Sequence, residues 1–387
     1  MRRLLTACLW LALLWPAWTQ TGAGQAEAVQ FYRQWKKHYL RHGPAAGEAY
    51  ILVGSDSRGG GQAPGTFSIS EGHGYGMLLT VAMARFDPQA RADFDRLYRF
   101  YLHHPSPQSP RLMAWNQTQR DKKPVSSASD GDLDIAYALL WAGQTWGEPY
   151  GAQGRAMLPE ILRCNLNPKT QMVGLGSFIH PGEPDEYFGV RTSDIMPGHF
   201  RAFARVSHDR RWETVLNNSY RLLASLQRQH SPKAGLWPDF VIVRPGQTPQ
   251  LAPPDYLEGK EDASFGYNAC RVPFRLGVDA LCNRDSRAIA LLKTPTGWLD
   301  QVTHGDPSRI ANGYTLKGAR LSAHWESSQA FVAPIALAAL CIPAESDWAG
   351  DCWDFVLTGS DLEDDDYYGN TLKALCLVVR AGLWRQL

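Results

Sequence analysis

The sequence predicts an all-α protein of about twelve helices, paired as six antiparallel hairpins and closed into a double ring. Three observations predict it: apolar residues recur at three- and four-residue spacing along most of the chain, strand-like runs are few and short, and short connections alternate with long ones. The helical spacing covers roughly 27–41, 72–86, 89–104, 130–147, 151–165, 194–207, 210–229, 263–283, 285–294, 325–342, 346–357 and 366–384. In 130–147, for example, Leu133, Ala136, Tyr137, Leu140, Trp141 and Gln144 share one face, with Ser129 placed to cap the first turn. The run Phe240 to Val243 reads as a strand, but strands do not alternate with helices, which disfavours a doubly wound sheet.

The long connections fall at 54–70, 105–129, 167–193, 231–262 and 298–323 and are polar or rich in Pro and Gly. Compact domains keep such loops when they have a use, and a double ring of hairpins gathers them at one end around an open cleft. No low-complexity linker or shift of composition divides the chain, so residues 26–387 are expected to form one domain. That exceeds the usual domain size and calls for a closed, barrel-like architecture.

Composition narrows the function. The chain has 387 residues, 44% hydrophobic and 20% charged, enough to bury a large core. Lys and Arg total 39 against 38 acidic residues, a formal net charge of +1, so neither nucleic acid nor an anionic membrane surface is an expected partner. The 14 Trp, 15 Tyr and 14 Phe supply flat rings with an apolar face and a polar edge, which suit the faces of sugar rings.

Met1-Arg2-Arg3, the apolar run Leu4 to Trp18 and the small residues Ala23 and Ala26 have the pattern of a signal peptide over residues 1–25. A secreted or periplasmic protein is therefore expected, with a retained N-terminal anchor as the alternative and no membrane span in the mature chain. Loss of Cys8 with the leader would leave Cys164, Cys270, Cys282, Cys341, Cys352 and Cys376, an even number that is compatible with disulfides without requiring them. There is no C-x-x-C, no H-E-x-x-H and no close His/Cys cluster, so no metal or other cofactor is expected; the chain is expected to act as a monomer.

Two segments concentrate chemistry. Ser70-Glu71-Gly72-His73-Gly74-Tyr75-Gly76-Met77 puts a carboxyl at a helix start among glycines that permit close approach. Glu71 is either a first-turn acid favoured by the helix dipole or a catalyst. Gly59-Gly60-Gly61 lacks the Lys-Ser or Lys-Thr of a phosphate loop. Ser129-Asp130-Gly131-Asp132-Leu133-Asp134 places three carboxylates at the start of another helix. Calcium is disfavoured, since the twelfth position from Asp130 is Trp141 and not Glu. Capping explains one or two of the acids; a sugar hydroxyl is a natural ligand for the remainder.

Together with Arg191-Thr192-Ser193-Asp194 and Tyr267-Asn268-Ala269-Cys270-Arg271-Val272-Pro273, these segments resemble glycoside hydrolase family 8, in order and spacing from about Tyr32 to Leu377. The resemblance implies an (α/α)6 barrel with an open substrate cleft and an inverting, cofactor-free hydrolysis of a polysaccharide. By motif, Glu71 resembles the general acid and Asp130 the second active-site carboxylate, which binds the sugar at the cleavage point; Asp132 is the weaker candidate for that role. Arg191, Tyr267, Asn268 and Arg271 resemble residues of the cleft, and Asp194 contributes to the cleft or its support. Trp115, Tyr187, Phe188 and Tyr367 fall in predicted loops, where their rings are candidates for stacking on sugars or for loop packing.

One departure decides where the base must lie. Cellulase-type members resemble this chain except in having Asp at the position of Asn268, and an amide cannot take the proton of water. Chitosanase- and lichenase-type members resemble it in having Asn there, with a Glu of the preceding loop as base. Glu258 is the expected base, and Asp255, Glu261 and Asp262 compete with it. The expected activity is endo-β-1,4-glucanase on cellulose-like or mixed-linkage glucan. Chitosanase activity is the near alternative, and a non-catalytic polysaccharide-binding protein the alternative from another class.

Overall fold

A computed structural model describes residues 22–53, 65–118, 125–322, 327–358, 362 and 367–387. The expected leader lies outside these residues except for 22–25, which form the first turn of α1. Twelve long helices are present among the described residues: α1 (Gly22–Tyr39), α2 (Ser70–Ala82), α3 (Ala90–His103), α4 (Ser129–Trp146), α5 (Tyr150–Cys164), α6 (Pro197–Ser207), α7 (Arg211–His230), α8 (Val272–Asn283), α9 (Ser286–Thr303), α10 (Gln329–Ala339), α11 (Ser346–Thr358) and α12 (Tyr367–Arg380). A single helical turn, Pro184–Tyr187, lies between α5 and α6.

The even-numbered helices form an inner ring in the contact order α2, α4, α6, α8, α10, α12 and back to α2, and each odd-numbered helix packs outside it. Burial follows from sequence. Ala330 to Ala339 of α10 are all buried because that helix is apolar or small on every side; Ser129 to Ala142 of α4 are buried too, with Asp130, Asp132 and Asp134 paired to Arg271, Asn165 and Arg275. Outer helices bury one stripe, such as Trp212, Val215, Leu216, Ser219, Tyr220, Leu223 and Leu226 of α7. Short connections follow inner helices and long ones precede most of them, so antiparallel pairing brings the inner N-termini to one end. At the opposite end the chain closes the barrel: Trp384 packs against Tyr137, Trp141 and Phe274, and the Tyr137 hydroxyl donates to the Arg385 carbonyl at 2.7 Å.

The departures from expectation have local causes. Residues 263–268 are loop, not helix, because the Asp239 carboxylate captures the amides of Gly266 (3.1 Å) and Ala269 (2.6 Å) before Pro273 opens α8. Helix α9 runs nine residues past its expected end at 294, with Pro295 inside it. Ser129 does not cap α4; its hydroxyl donates to the Gly174 carbonyl at 2.7 Å. The expected strand is Phe240–Ile242, the centre of an antiparallel sheet flanked by Gly189–Arg191 and Gln250–Leu251, with Phe240 opposite Arg191. Leu175, Phe240 and Ala252, with Phe178, Ile179, Tyr256 and Leu257 against them, make a small apolar cluster separate from the main core. Cys164, Cys270, Cys282, Cys341, Cys352 and Cys376 are all free. Among the described residues no single helix is long and apolar enough to cross a membrane.

Candidate active site

Helices α2 and α4 meet at their first turns. Gly131 allows it: a Cβ there would lie 2.6 Å from Ser70 Cβ and 2.7 Å from the Ser70 carbonyl carbon. The start of α2 is also fixed by the Ser70 amide, which donates to the Trp115 carbonyl at 2.9 Å. Glu71 and Asp130 therefore face each other at the mouth of the inner ring.

Between them stands Arg271, delivered by the turn before α8 and almost wholly buried. One of its terminal nitrogens donates to Glu71, to Asp130 at 3.1 Å and to the Tyr75 hydroxyl at 3.2 Å. The other donates to the Ser193 hydroxyl at 2.7 Å and to the Asn268 side-chain oxygen, Oδ1, at 3.1 Å. The Asn268 amide passes the chain on, donating to Glu258 at 2.8 Å, and Arg191 holds the second Glu258 oxygen at 3.1 Å. Arg191 also faces Asp194 at 3.6 Å and Asp130 at 3.8 Å. A continuous polar network thus runs from Glu71 to Glu258, with both carboxyls partly open to solvent: 14% and 22% of their side chains.

Burial governs the charges. It raises Glu71 to about 7; Arg271 opposes the rise and Asp130 adds to it. Asp194 is likewise lifted to about 7 and Asp239 to about 8. The helix dipole at the start of α2 favours an ionised Glu71, and desolvation outweighs it. Asp134 goes the other way. Its burial is overcome by a two-point contact with Arg275 (2.9 and 2.6 Å) and by His199 at 2.9 Å, which together bring it down to about 2. The site thus offers a carboxyl still partly protonated at neutral pH and, across the guanidinium groups, an anchored carboxylate able to receive a proton.

The four candidates for a proton acceptor in the 255–262 segment separate cleanly. Asp255 is exposed, in a left-handed turn at φ 56°. Glu261 is exposed and accepts from Ser264 at 3.2 Å. Asp262 is buried and binds the backbone amides of Leu257, Glu258 and Gly259. Glu258 is the one that joins the network.

Of the expected sugar contacts, Arg191, Asn268 and Arg271 belong to this network. Tyr267 is half-buried, its ring edge-on to Phe331 at 5.0 Å, and Trp115 is half-buried at the start of α2. Three expectations are corrected. Asp132 is fully buried and turned from the cleft, accepting from Asn165 at 2.8 Å and from the Met113 amide at 3.3 Å. Tyr187 is buried, its ring edge-on to Phe188 at 5.0 Å. Tyr367 begins α12, within the expected helix 366–384 and not in a loop with the other rings; it is buried edge-on to Tyr39, with its hydroxyl over Gly72. Phe188 is half-buried. The sequence did not mark Asp239, Tyr75 or Tyr368, whose ring lies 5.9 Å from the Arg271 guanidinium and whose hydroxyl donates to the Tyr267 carbonyl at 2.7 Å. Asp239 follows Pro238 with no periodicity to mark it, whereas Tyr75 lies in the Glu71 motif four residues on, the spacing that shares a helix face.

The family profile described as Glycosyl hydrolases family 8 matches residues 9–382. The chain belongs to this family. It is 35% identical over 358 residues to a β-glucanase of Niallia circulans, covering 90% of this chain and 83% of that one. It is 31% identical over 362 residues to an endoglucanase of Bacillus sp. (strain KSM-330), covering 92% and 75%. Among solved structures, the apo β-1,3-1,4-glucanase from Paenibacillus sp. X4 superposes with a TM-score of 0.87 at 32% identity, over 95% of this chain and 96% of that one. A reducing-end xylose-releasing exo-oligoxylanase, at 20% identity and a TM-score of 0.71, shares the fold. The family 8 chain is a glycoside hydrolase with the (α/α)6 barrel, and a polysaccharide is its class of substrate.

Proposed function

We propose that this family 8 enzyme is an exported, inverting endo-β-1,4-glucanase acting on cellulose-like or mixed-linkage β-glucan. The observation that carries the reading is the pairing of a Glu71 carboxyl raised to about 7 with a Glu258 carboxylate held by Arg191 and Asn268 at the far end of one network. Glu71 gives its proton to the oxygen of the leaving sugar. Water attacks the anomeric carbon from the opposite face and yields its proton to Glu258, so that bond formation and cleavage invert the centre. Asp130 binds the sugar at the cleavage point; its other oxygen is fixed by the Gly131 amide at 2.8 Å. Asn268 orients Glu258 and does not ionise.

Charge at the cleft favours a neutral substrate. Arg191, Arg271 and Arg275 face Glu258, Asp130 and Asp134, while Glu71 and Asp194 are about half protonated at neutrality and Asp239 mostly so. Little negative potential remains to attract polycationic chitosan. The relatives' names, β-glucanase, endoglucanase and β-1,3-1,4-glucanase, point the same way. Export rests on the leader pattern of residues 1–25, and endo action on the relatives named endoglucanase. Reducing-sugar release from carboxymethylcellulose, lichenan and chitosan, measured side by side, tests the substrate. Activity on one or both glucans is expected, and activity on chitosan alone would overturn the assignment.

A further inference from the structure

We propose that Asp262 is the positioning residue of the catalytic base: it suspends the loop that carries Glu258 and sets where the Glu258 carboxylate stands over the water. The inference rests on Glu258 being the base. Glu258 sits in Pro253-Pro254-Asp255-Tyr256-Leu257-Glu258-Gly259, a stretch without helix or strand, yet a base must be held to a fraction of an ångström. The Asp262 carboxylate supplies the hold. One oxygen accepts from the Leu257 amide at 2.7 Å and the Glu258 amide at 3.1 Å, and the other from Gly259 at 3.1 Å. Three consecutive amides thus converge on a single buried carboxylate.

Asp262 is itself anchored. Its carbonyl accepts from the Phe240 amide at 2.9 Å, tying it to the sheet whose neighbouring strand carries Arg191. Leu257 and Tyr256 lie against the small cluster built on Phe240, and the Tyr256 hydroxyl donates to the Asp185 carbonyl at 2.9 Å. The path from Asp262 to both side chains that touch Glu258 is short. Arg191 lies opposite Phe240 in the sheet, and the Asn268 loop is held by Asp239, the residue before Phe240. One strand therefore registers the base, its guanidinium partner and its amide partner together.

Removing the carboxylate leaves three amides without their shared acceptor and frees the Glu258 backbone. Glu258→Ala and Asp262→Ala are compared on a soluble β-glucan oligosaccharide, with and without sodium azide. Azide needs no base: its nitrogen bonds to the anomeric carbon as the bond to the leaving sugar oxygen breaks, and that oxygen takes the Glu71 proton. For Asp262→Ala we expect kcat to fall about 10²-fold, with KM little changed and melting temperature lowered only modestly. Azide should restore turnover and give a glycosyl azide of inverted configuration. Asp262→Asn, which keeps one acceptor oxygen, should fall between wild type and Asp262→Ala; it is read by the same criteria if the alanine variant does not fold.

Wild-type turnover by Glu258→Ala would remove the base assignment and this inference with it. An inactive Glu258→Ala beside a fully active Asp262→Ala would overturn the inference alone. A loss at Asp262 that azide does not restore, or that comes with a collapse of KM or melting temperature, would make the residue merely structural and would also overturn it.

Discussion

Carrying the pH from about 6 to about 8 should lower kcat/KM on a glucan about ten-fold, because Glu71 loses its proton through that range. The magnitude follows from burial. A Glu at its ordinary 4.5 would be protonated in about 0.3% of molecules at neutral pH, whereas one raised to about 7 is protonated in about half, so the competent fraction grows about 150-fold. The sign is fixed by the role: a proton donor works below its pKa and fails above it. Asp194 and Asp239 titrate at about 7 and about 8, so the limb must be traced to Glu71 itself. Initial rates on a dinitrophenyl glycoside, whose leaving group departs without a proton, make the distinction. The alkaline limb should be present for the glucan and flattened for the aryl substrate. Asp130→Asn removes an anion that raises Glu71 and should move the limb to lower pH, and loss of the Arg271 charge should move it higher. Equal alkaline limbs on both substrates, or an Asp130→Asn shift to higher pH, would refute the reasoning.

Other perturbations follow from the same contacts. Glu71→Gln and Glu258→Gln should each reduce turnover on glucan by about 10²–10⁴-fold without loss of helical signal, as circular dichroism and initial rates can check. Gly131→Ala drives a methyl group into Ser70 and should cost about 1–3 kcal/mol, read as a fall in denaturant midpoint together with reduced kcat. Arg275→Met strands the buried Asp134 and should cost about 3–5 kcal/mol in denaturant unfolding. Asp134, held down to about 2, contributes stability that is present above the ordinary carboxylate range and lost as pH falls toward that value. Melting temperature against pH should therefore drop in that acid window for the wild type.

Most of the barrel was legible because inner and outer helices carry different signals: continuous apolar runs such as Ala330 to Ala339, and single stripes such as that of α7. The helical spacing faded at 294, just before Pro295, but a helix tolerates a proline where neighbouring packing compensates, and α9 continues to Thr303. The start of α8 was placed too early because periodicity is blind to Asp239, whose side chain takes the amides that a helix across 263–268 would have used. Glu71, Asp130, Arg271 and Glu258 were singled out through motif and the missing acid at Asn268, and they share one polar network. Asp132 stayed a weaker candidate beside Asp130 because both lie in the first turn of α4; two residues along a helix turn a side chain by about 200°, and Asp132 faces Asn165. The rings misled for a related reason. A place in a long connection says nothing of burial, and Tyr187 packs inward from the helical turn Pro184–Tyr187.

The most direct measurement of the central claim is the anomeric configuration of the sugar first released from a β-1,4-linked oligosaccharide, followed by proton NMR before mutarotation. A donor at Glu71 and an acceptor at Glu258 with water between them require the α-anomer to appear first. First appearance of the β-anomer would mean that a carboxylate attacks the sugar directly, and the two-sided arrangement described here would be wrong.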